Sequence, residues 1–189
     1  EVPRRVGVEI AVVTAITGGT LQGSGDIDIA ASFDWSGGAF ASSAAGLRRL
    51  TINSGATTFN ATLATASGIT SNADVTFKDN VTIAAGNVAS TLNANTTFNK
   101  AGGLSFTAGG DATFGDTGTD QVTLSGPTTI TTAAANTNQV FNAKVDGAQD
   151  LTLAAGTGNV TVTGAMGSNI ALSSLIISGN DISVGAIGG

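Results

Sequence analysis

Short triplets with an apolar residue on either side of a small polar one return along this chain at a nearly constant interval, and that repetition limits the fold more than any other feature. Ile27-Asp28-Ile29, Leu50-Thr51-Ile52, Val75-Thr76-Phe77, Val81-Thr82-Ile83, Leu104-Ser105-Phe106, Val122-Thr123-Leu124, Leu151-Thr152-Leu153, Val160-Thr161-Val162 and Ile182-Ser183-Val184 all follow the rule. Their alternation is that of a strand with one buried face. Gly, Asn, Asp and Ala-Gly pairs such as Ala85-Gly86 and Ala155-Gly156 separate them and supply the sharp corners. Segment starts fall into three series: Ile27, Leu50, Val75, Phe98, Val122, Val145, Ile170; then Phe33, Phe59, Val81, Leu104, Thr129, Leu151, Leu175; then, more loosely, Leu63, Leu92, Ala112, Val140, Val160, Ile182. The first series is the most regular of the three.

Three short strands in a unit of about 24 residues is the pattern of a right-handed parallel β-helix, a solenoid in which every coil lays its strands on those of the coil before. Residues 20–189 are expected to form about seven such coils, with residues 1–19 as an N-terminal cap or assembly segment outside the repeat. An antiparallel sandwich is the competing fold. It would join its strands through Asn-Gly or Asp-Gly hairpins, and Asp146-Gly147 is the one dipeptide of that kind. Its core, about 10 Å thick, also asks for more aromatic side chains than 5% of the residues.

Composition narrows the chemistry. Ala, Thr, Gly, Ser and Asn supply 115 of the 189 residues, and Cys, His and Tyr are absent. Disulfide frameworks, Cys/His zinc sites and every nucleophile–His arrangement are therefore excluded. A net charge of −6 argues against binding nucleic acid through its phosphates. The 41% apolar content, with only 11% charged residues, argues against a disordered chain. No segment holds the roughly 18 to 20 apolar residues of a membrane-spanning helix. The opening Glu1-Val2-Pro3 reads as a processed mature chain or a piece of a longer one.

The run Val145-Asp146-Gly147-Ala148-Gln149-Asp150-Leu151-Thr152-Leu153-Ala154-Ala155-Gly156-Thr157-Gly158-Asn159-Val160-Thr161-Val162-Thr163-Gly164, continued in Leu172-Ser173-Ser174-Leu175-Ile176-Ile177, resembles the repeat of giant bacterial surface proteins. These are the filamentous-haemagglutinin-like and autotransporter-passenger-like β-strand-repeat proteins. Gly23-Ser24-Gly25-Asp26-Ile27-Asp28-Ile29 and Phe33-Asp34-Trp35-Ser36-Gly37-Gly38 are similar to a second form of that repeat. The resemblance covers most of residues 20–189. It implies a secreted solenoid, extracellular or on the bacterial cell surface, serving as stalk, fibre or adhesin, and it carries over no catalytic residue.

The remaining motifs read as structure. Asp116-Thr117-Gly118 has the residues of an aspartic-protease triplet, but it sits in a Gly/Asp/Thr corner and has no second copy to share a proton with. The carboxylates of Asp26, Asp28, Asp74, Asp79, Asp111, Asp116, Asp120, Asp146 and Asp150 are set against only three cations beyond Leu50, namely Lys78, Lys100 and Lys144, too few for a polysaccharide-cleaving face. Asp26 and Asp28 are a calcium candidate, and Gly109-Gly110-Asp111 is a fragment of the calcium-binding nonapeptide. The sequons at Asn60, Asn80, Asn95 and Asn159 are better read as rungs of hydrogen-bonded side-chain ladders along a rod. Thr129-Ile130-Thr131 and Thr161-Val162-Thr163 have the Thr-x-Thr form of ice-binding solenoids.

The expectation is a non-enzymatic structural protein with no cofactor and no metal. Its partner is itself, in a head-to-tail polymer; a module binding glycans or surfaces and an ice-binding solenoid are the alternatives. The assembly residues are Val6, Val8, Ile10, Val12 and Val13 at one end, in the most β-prone and least polar stretch of the chain, and Ile182, Val184 and Ile187 at the other. The C-terminal segment carries one charge, no Pro and no helical pattern, and so lacks the devices that blunt an open strand edge.

Overall fold

The computed structural model describes residues 8–10, 14–16, 20–21, 27–30, 33–35, 39–40 and 49–188 except 66 and 84–87, with side chains from residue 27 onward save 39–40. Among them the chain forms 24 strands and no helix. The strands fall into three sheets, of nine, seven and eight strands, and successive strands up to Val160–Val162 visit the first, second and third sheet in strict rotation. Every pairing is parallel. Antiparallel hairpins are absent from these ladders, and the fold is a three-sided parallel β-solenoid of about eight coils, some 38 Å long at ~4.8 Å per rung.

The strands are short because the corners come quickly. Most have three residues, buried at both ends and half-exposed in the middle, as in Leu50–Ile52, Val75–Phe77 and Val160–Val162. Register then stacks like on like. In the first sheet Ile29, Ile52, Ser71, Leu92, Phe114, Phe141, Val162 and Val184 form one inward column. In the second, Trp35, Phe59, Phe77, Phe98 and Leu124 form another. The described aromatic side chains are all buried in the lumen. Phe59, Phe77 and Phe98 stack at centroid distances of 5.6 and 5.9 Å, and Phe114 lies on Phe141 at 4.7 Å. Each such pair contributes about 0.5–1.5 kcal/mol beyond the area it buries.

Several polar residues inside the lumen donate to backbone carbonyls, whereas the buried hydroxyls of Thr57 and Thr96 have no hydrogen-bond partner among the described residues. Thr65 Oγ1 donates to the Ser67 carbonyl at 2.7 Å, Ser71 Oγ to that of Ala73 at 2.6 Å, and Thr132 Oγ1 to that of Thr137 at 3.0 Å. Gln139 Nε2 crosses from the first sheet to the third and donates to the Ile130 carbonyl at 3.0 Å. Corners also approach one another closely. A Cβ at Gly158 would stand 1.8 Å from the Thr137 carbonyl oxygen of the coil below, and one at Gly164 would stand 1.9 Å from that of Ala143, so only glycine fits.

The structure differs from the sequence reading in its period, because the coils are uneven. The coil from Thr57 to Val75 is much shorter than the expected repeat, and the coil from Ala112 to Gln139 is longer. The expected series therefore change sheets: Ile27 and Leu50 lie in the first sheet, whereas Val75, Phe98, Val122 and Val145 lie in the second. The other two series slip at the same place, where neither they nor the first contain the strand Ile69–Ser71. That strand ends on Ser71, a fully buried polar residue that breaks the apolar alternation, while the number of coils stays close to the seven expected. Ile170 begins no strand. Val8–Ile10 and Thr14–Ile16, which the spacing set apart from the repeat, head the first and second sheets in register with Ile27–Ile29 and Phe33–Trp35. Their coil, from Val8 to Ile27, is another short one, so a fixed period does not capture it.

The aromatic column makes a direct test possible. Phe98→Ala should lower the free energy of unfolding by about 3–5 kcal/mol in urea denaturation, the usual cost of emptying a buried Phe site. Thr97→Ala, on the outer face of the same strand, should change it by less than about 0.5 kcal/mol.

Candidate functional site

Among the described residues, the large hydrophobic side chains that are exposed are Ile170, Ile176, Ile182 and Ile187, all in the last coil. The columns they end show why. Val160 is fully buried, and Ile182, one rung on in the same column, is 49% exposed because no described coil lies on it. Leu172, Leu175, Ile177 and Val184 are only partly buried against the core. Ser174–Ser178 pairs with Asp150–Ala154, and Ile182–Val184 with Val160–Val162, each on one side only among the described residues. The end of the rod thus offers unpaired backbone along two strands around an apolar mouth. Between these strands and Met166 lies a cavity of about 250 Å³, lined by Met166, Leu172, Leu175 and Ile187 among others.

One buried carboxylate shapes that mouth. In the second sheet the strand position after Lys144–Asp146 shrinks to a single bridge, Val145 to Met166, and residues 167–173 form a loop. Asp146, 1% exposed, gathers the loop: Oδ1 accepts from the backbone N–H of Asn169 at 2.9 Å and of Ile170 at 3.2 Å, and Oδ2 accepts from Asn169 Nδ2 at 3.0 Å and Gln121 Nε2 at 3.3 Å. This is why Ile170 is not in a strand.

The expected assembly residues separate cleanly. Ile182, Val184 and Ile187 come together at the open C-terminal end. Val8 and Ile10 lie in the strand that begins the first sheet, at its opposite edge. Val6, Val12 and Val13 fall outside the described residues. Sequence reasoning missed Met166, Leu172, Leu175, Ile176, Ile177 and the role of Asp146. A signal for Ile176 was present, because it occupies the outward register position that Thr152 and Thr129 fill in the two coils before.

The other motifs resolve into corner chemistry. Asp120 Oδ2 accepts from the backbone N–H of Asp116 at 3.1 Å and of Thr117 at 2.8 Å, so the Asp-Thr-Gly triplet is a self-bonded turn. All four sequon asparagines are occupied. Asn60 Nδ2 donates to Asp34 at 2.5 Å; Asn80 Oδ1 accepts from the N–H of Ser105, Asn95 Oδ1 from that of Gln121, and Asn159 Oδ1 from that of Asp181. A side-chain ladder climbs one corner, from Asn93 to Asn72 at 2.8 Å and from Asn72 to Asn53 at 3.4 Å. A second joins Asp111, Asn138 and Asn159 through backbone N–H groups at 2.6 and 2.9 Å. The three lysines lie apart: Lys78 and Lys100 follow strands of the second sheet, and Lys144 opens one beside Gln121. Asp28 is half-buried on the outer face of the first sheet, Asp26 lies outside the described residues, and no group of three or more potential metal ligands occurs among the described residues. No described helix is long and apolar enough to cross a membrane.

No family model matches this chain, and no curated protein and no solved structure does so either.

Two outcomes test this description. Lys100 Nζ stands 2.6 Å from Asp79 Oδ1, and this hydrogen bond, with that from the Asn80 N–H, holds the Asp79 carboxyl below the ordinary carboxylate range. A carboxyl more acidic in the folded chain stabilises it above the unfolded pKa and loses that contribution as pH falls through the folded one. Asp79→Asn should therefore flatten the decline in melting temperature below about pH 4, the unfolded carboxylate value. Asp146→Ala should strip four donors of their acceptor, lower stability by about 2–4 kcal/mol and raise amide exchange at Asn169 and Ile170.

Proposed function

We propose that this chain is a structural segment of an extracellular bacterial fibre, sheath or giant surface protein, and that it extends by end-to-end stacking. The observation that carries the reading is the confinement of exposed large apolar side chains, among the described residues, to the last coil at the open edges of parallel sheets. A face like this is heterologous: its complement is the other end of such a solenoid, and repetition of the contact gives an open filament rather than a closed ring. Among the described residues, Val8–Ile10, Thr14–Ile16 and Thr20–Leu21 stand at the opposite edge of the three sheets from that coil. The resemblance of the repeat to filamentous-haemagglutinin-like and autotransporter-passenger-like proteins supports a place outside the cell.

Glycan adhesion draws less support, because sugar-binding faces use exposed aromatic rings and the described ones are in the lumen. One observation favours a different second reading. On the outer faces Thr51, Thr70, Thr91 and Thr113 form one column, Thr58, Thr76, Thr97 and Thr123 another, and on the third sheet Ser105, Thr129 and Thr152 run beside Thr82, Thr107 and Thr131. Hydroxyls repeated every ~4.8 Å on a flat sheet suit an ordered water lattice. Faceting of growing ice crystals by the purified chain would favour that function, and smooth disks would dismiss it.

For the leading reading, negative-stain microscopy of concentrated protein should show rods that lengthen with concentration by increments of one chain. Deleting residues 1–14 should leave single short rods. If the truncated chain polymerises with the same axial repeat, the N-terminal strands are not the joint.

A further inference from the structure

We propose that Lys100 and Asn80 form a covalent isopeptide cross-link between neighbouring coils, with Asp79 as the base that frees the lysine amine. Nothing in this bond depends on how whole rods associate.

The three groups meet at the corner between the second and third sheets. Val75–Phe77 and Val81–Ile83 flank Asp79 and Asn80 in one coil, and Thr96–Phe98 and Leu104–Ala108 flank Lys100 in the next. A turn holds the Lys100 backbone, whose carbonyl accepts from the Gly103 N–H at 2.9 Å. The following coil presses on the same oxygen, because a Cβ at Gly126 would stand 2.0 Å from it. From this fixed base the side chain reaches back to the earlier coil. Lys100 Nζ stands 2.6 Å from Asp79 Oδ1 and 3.3 Å from Asn80 Oδ1. With a C=O bond of about 1.23 Å, Asn80 Cγ lies within about 4.5 Å of that nitrogen. A small rotation of the lysine then brings the two to the ~3–3.5 Å of an attacking pair.

Each partner is held for the reaction. Asp79 Oδ1 also accepts from the Asn80 backbone N–H at 2.8 Å, and Oδ2 from Thr62 Oγ1 at 3.1 Å, which fixes the carboxylate against the amine. Asn80 Oδ1 accepts from the Ser105 N–H at 3.0 Å, a donor aimed at the oxygen on which negative charge develops during attack. A polarised amide is by itself ordinary in this solenoid. Asn95, Asn138 and Asn159 offer Oδ1 to backbone N–H groups of a later coil in the same way. What sets Asn80 apart among the described residues is a lysine amine on that oxygen and a carboxylate on the amine.

The chemistry needs no co-reactant. Asp79, ionised at neutral pH, takes one proton from the Lys100 ammonium. The freed lone pair on Nζ bonds to Asn80 Cγ, and the carbonyl pair moves onto Oδ1, facing the Ser105 N–H. As that pair returns, the Cγ–Nδ2 bond breaks. The departing nitrogen takes the second Nζ proton and leaves as ammonia, which then collects the proton held by Asp79. No group is oxidised or reduced, and a secondary amide joins residues 20 apart in sequence across one rung of the stack. Because the side chains of Lys100 and Asp79 are 32% and 31% exposed, water keeps most of the amine protonated and the bond forms slowly.

Full-length protein kept for days at about pH 9, which raises the share of neutral lysine amine, should lose the mass of one ammonia. Denatured and digested with trypsin, which cuts after unmodified lysine, it should yield residues 79–144 as one peptide in place of 79–100 and 101–144. The melting temperature of the reacted chain should rise, since the bond constrains the unfolded state. Lys100→Arg keeps a cation beside Asp79, and Asn80→Asp keeps an acceptor for Ser105; neither should lose ammonia, and circular dichroism checks that both fold. Asp79→Ala should react at least about 100-fold more slowly. An unchanged mass with normal cutting after Lys100 overturns the proposal. Ammonia loss that persists in Lys100→Arg also overturns it, because Asn80 would then be closing on its own backbone. An unchanged rate in Asp79→Ala removes Asp79 as the base.

Discussion

Parallel pairing between one coil and the next is the interaction on which the rest of this molecule depends. A three-residue strand such as Val75–Phe77 makes its ladder hydrogen bonds to Thr57–Phe59 below and Thr96–Phe98 above, and to nothing within its own coil. Its inward side chains are covered the same way, by the columns that continue through the neighbouring coils. No coil can bury its apolar residues alone, and stability becomes a sum over neighbouring coils. The same dependence makes the ends different from everything between them, because a terminal coil has a neighbour on one side only.

The corners show how such stacking tolerates uneven coils. Strands keep register while the connecting turns absorb the difference between a short coil, Thr57 to Val75, and a long one, Ala112 to Gln139. At the corner after the first sheet, Asn53, Asn72 and Asn93 each donate a backbone N–H to the strand below at 2.7 Å, and their side chains bond to one another along the rod. Glycine stands where a corner presses on a carbonyl of the previous coil, as Gly158 does on Thr137. The abundance of Asn, Thr and Gly is thus a consequence of architecture. Asn satisfies corner backbone, Thr fills the half-exposed centres of strands with a β-branched side chain, and Gly permits close approach.

The last coil shows what that architecture leaves where the described ladders stop. Asp146 draws residues 167–173 out of the second sheet and leaves a mouth of apolar side chains at the point where the ladders stop. Solvated edges of this kind are usually blunted by charge, Pro or a covering segment. Here the outer strand Ser174–Ser178 has neither charge nor Pro, and it places Ile176 where lower coils place Thr. The apolar residues of this coil, on both its lumen and its rim, are those that the proposed stacking would cover.

The class of fold is legible in the chain alone. Triplets such as Leu50-Thr51-Ile52, repeated three to a coil, require short strands with one buried face, and the absence of Cys and His removes most site chemistry. The segment that holds Ile182, Val184 and Ile187 is legible as apolar and free of Pro in the same way. Register and the place of the first coil come instead from packing. Ile69-Thr70-Ser71 is a strand because Ser71 has the Ala73 carbonyl to bond inside the lumen, a partner that appears only once the corner has formed. Val8–Ile10 belongs to the solenoid because Ile27–Ile29 lies beside it, at a spacing no average period would choose. Asp146 acts through Asn169 and Ile170, which reach it only from the following coil. A strand's periodicity is a local property and is written in the chain; which strand it rests on, and what a corner's polar atoms find there, depend on neighbours one coil distant, and those are assembled only by folding.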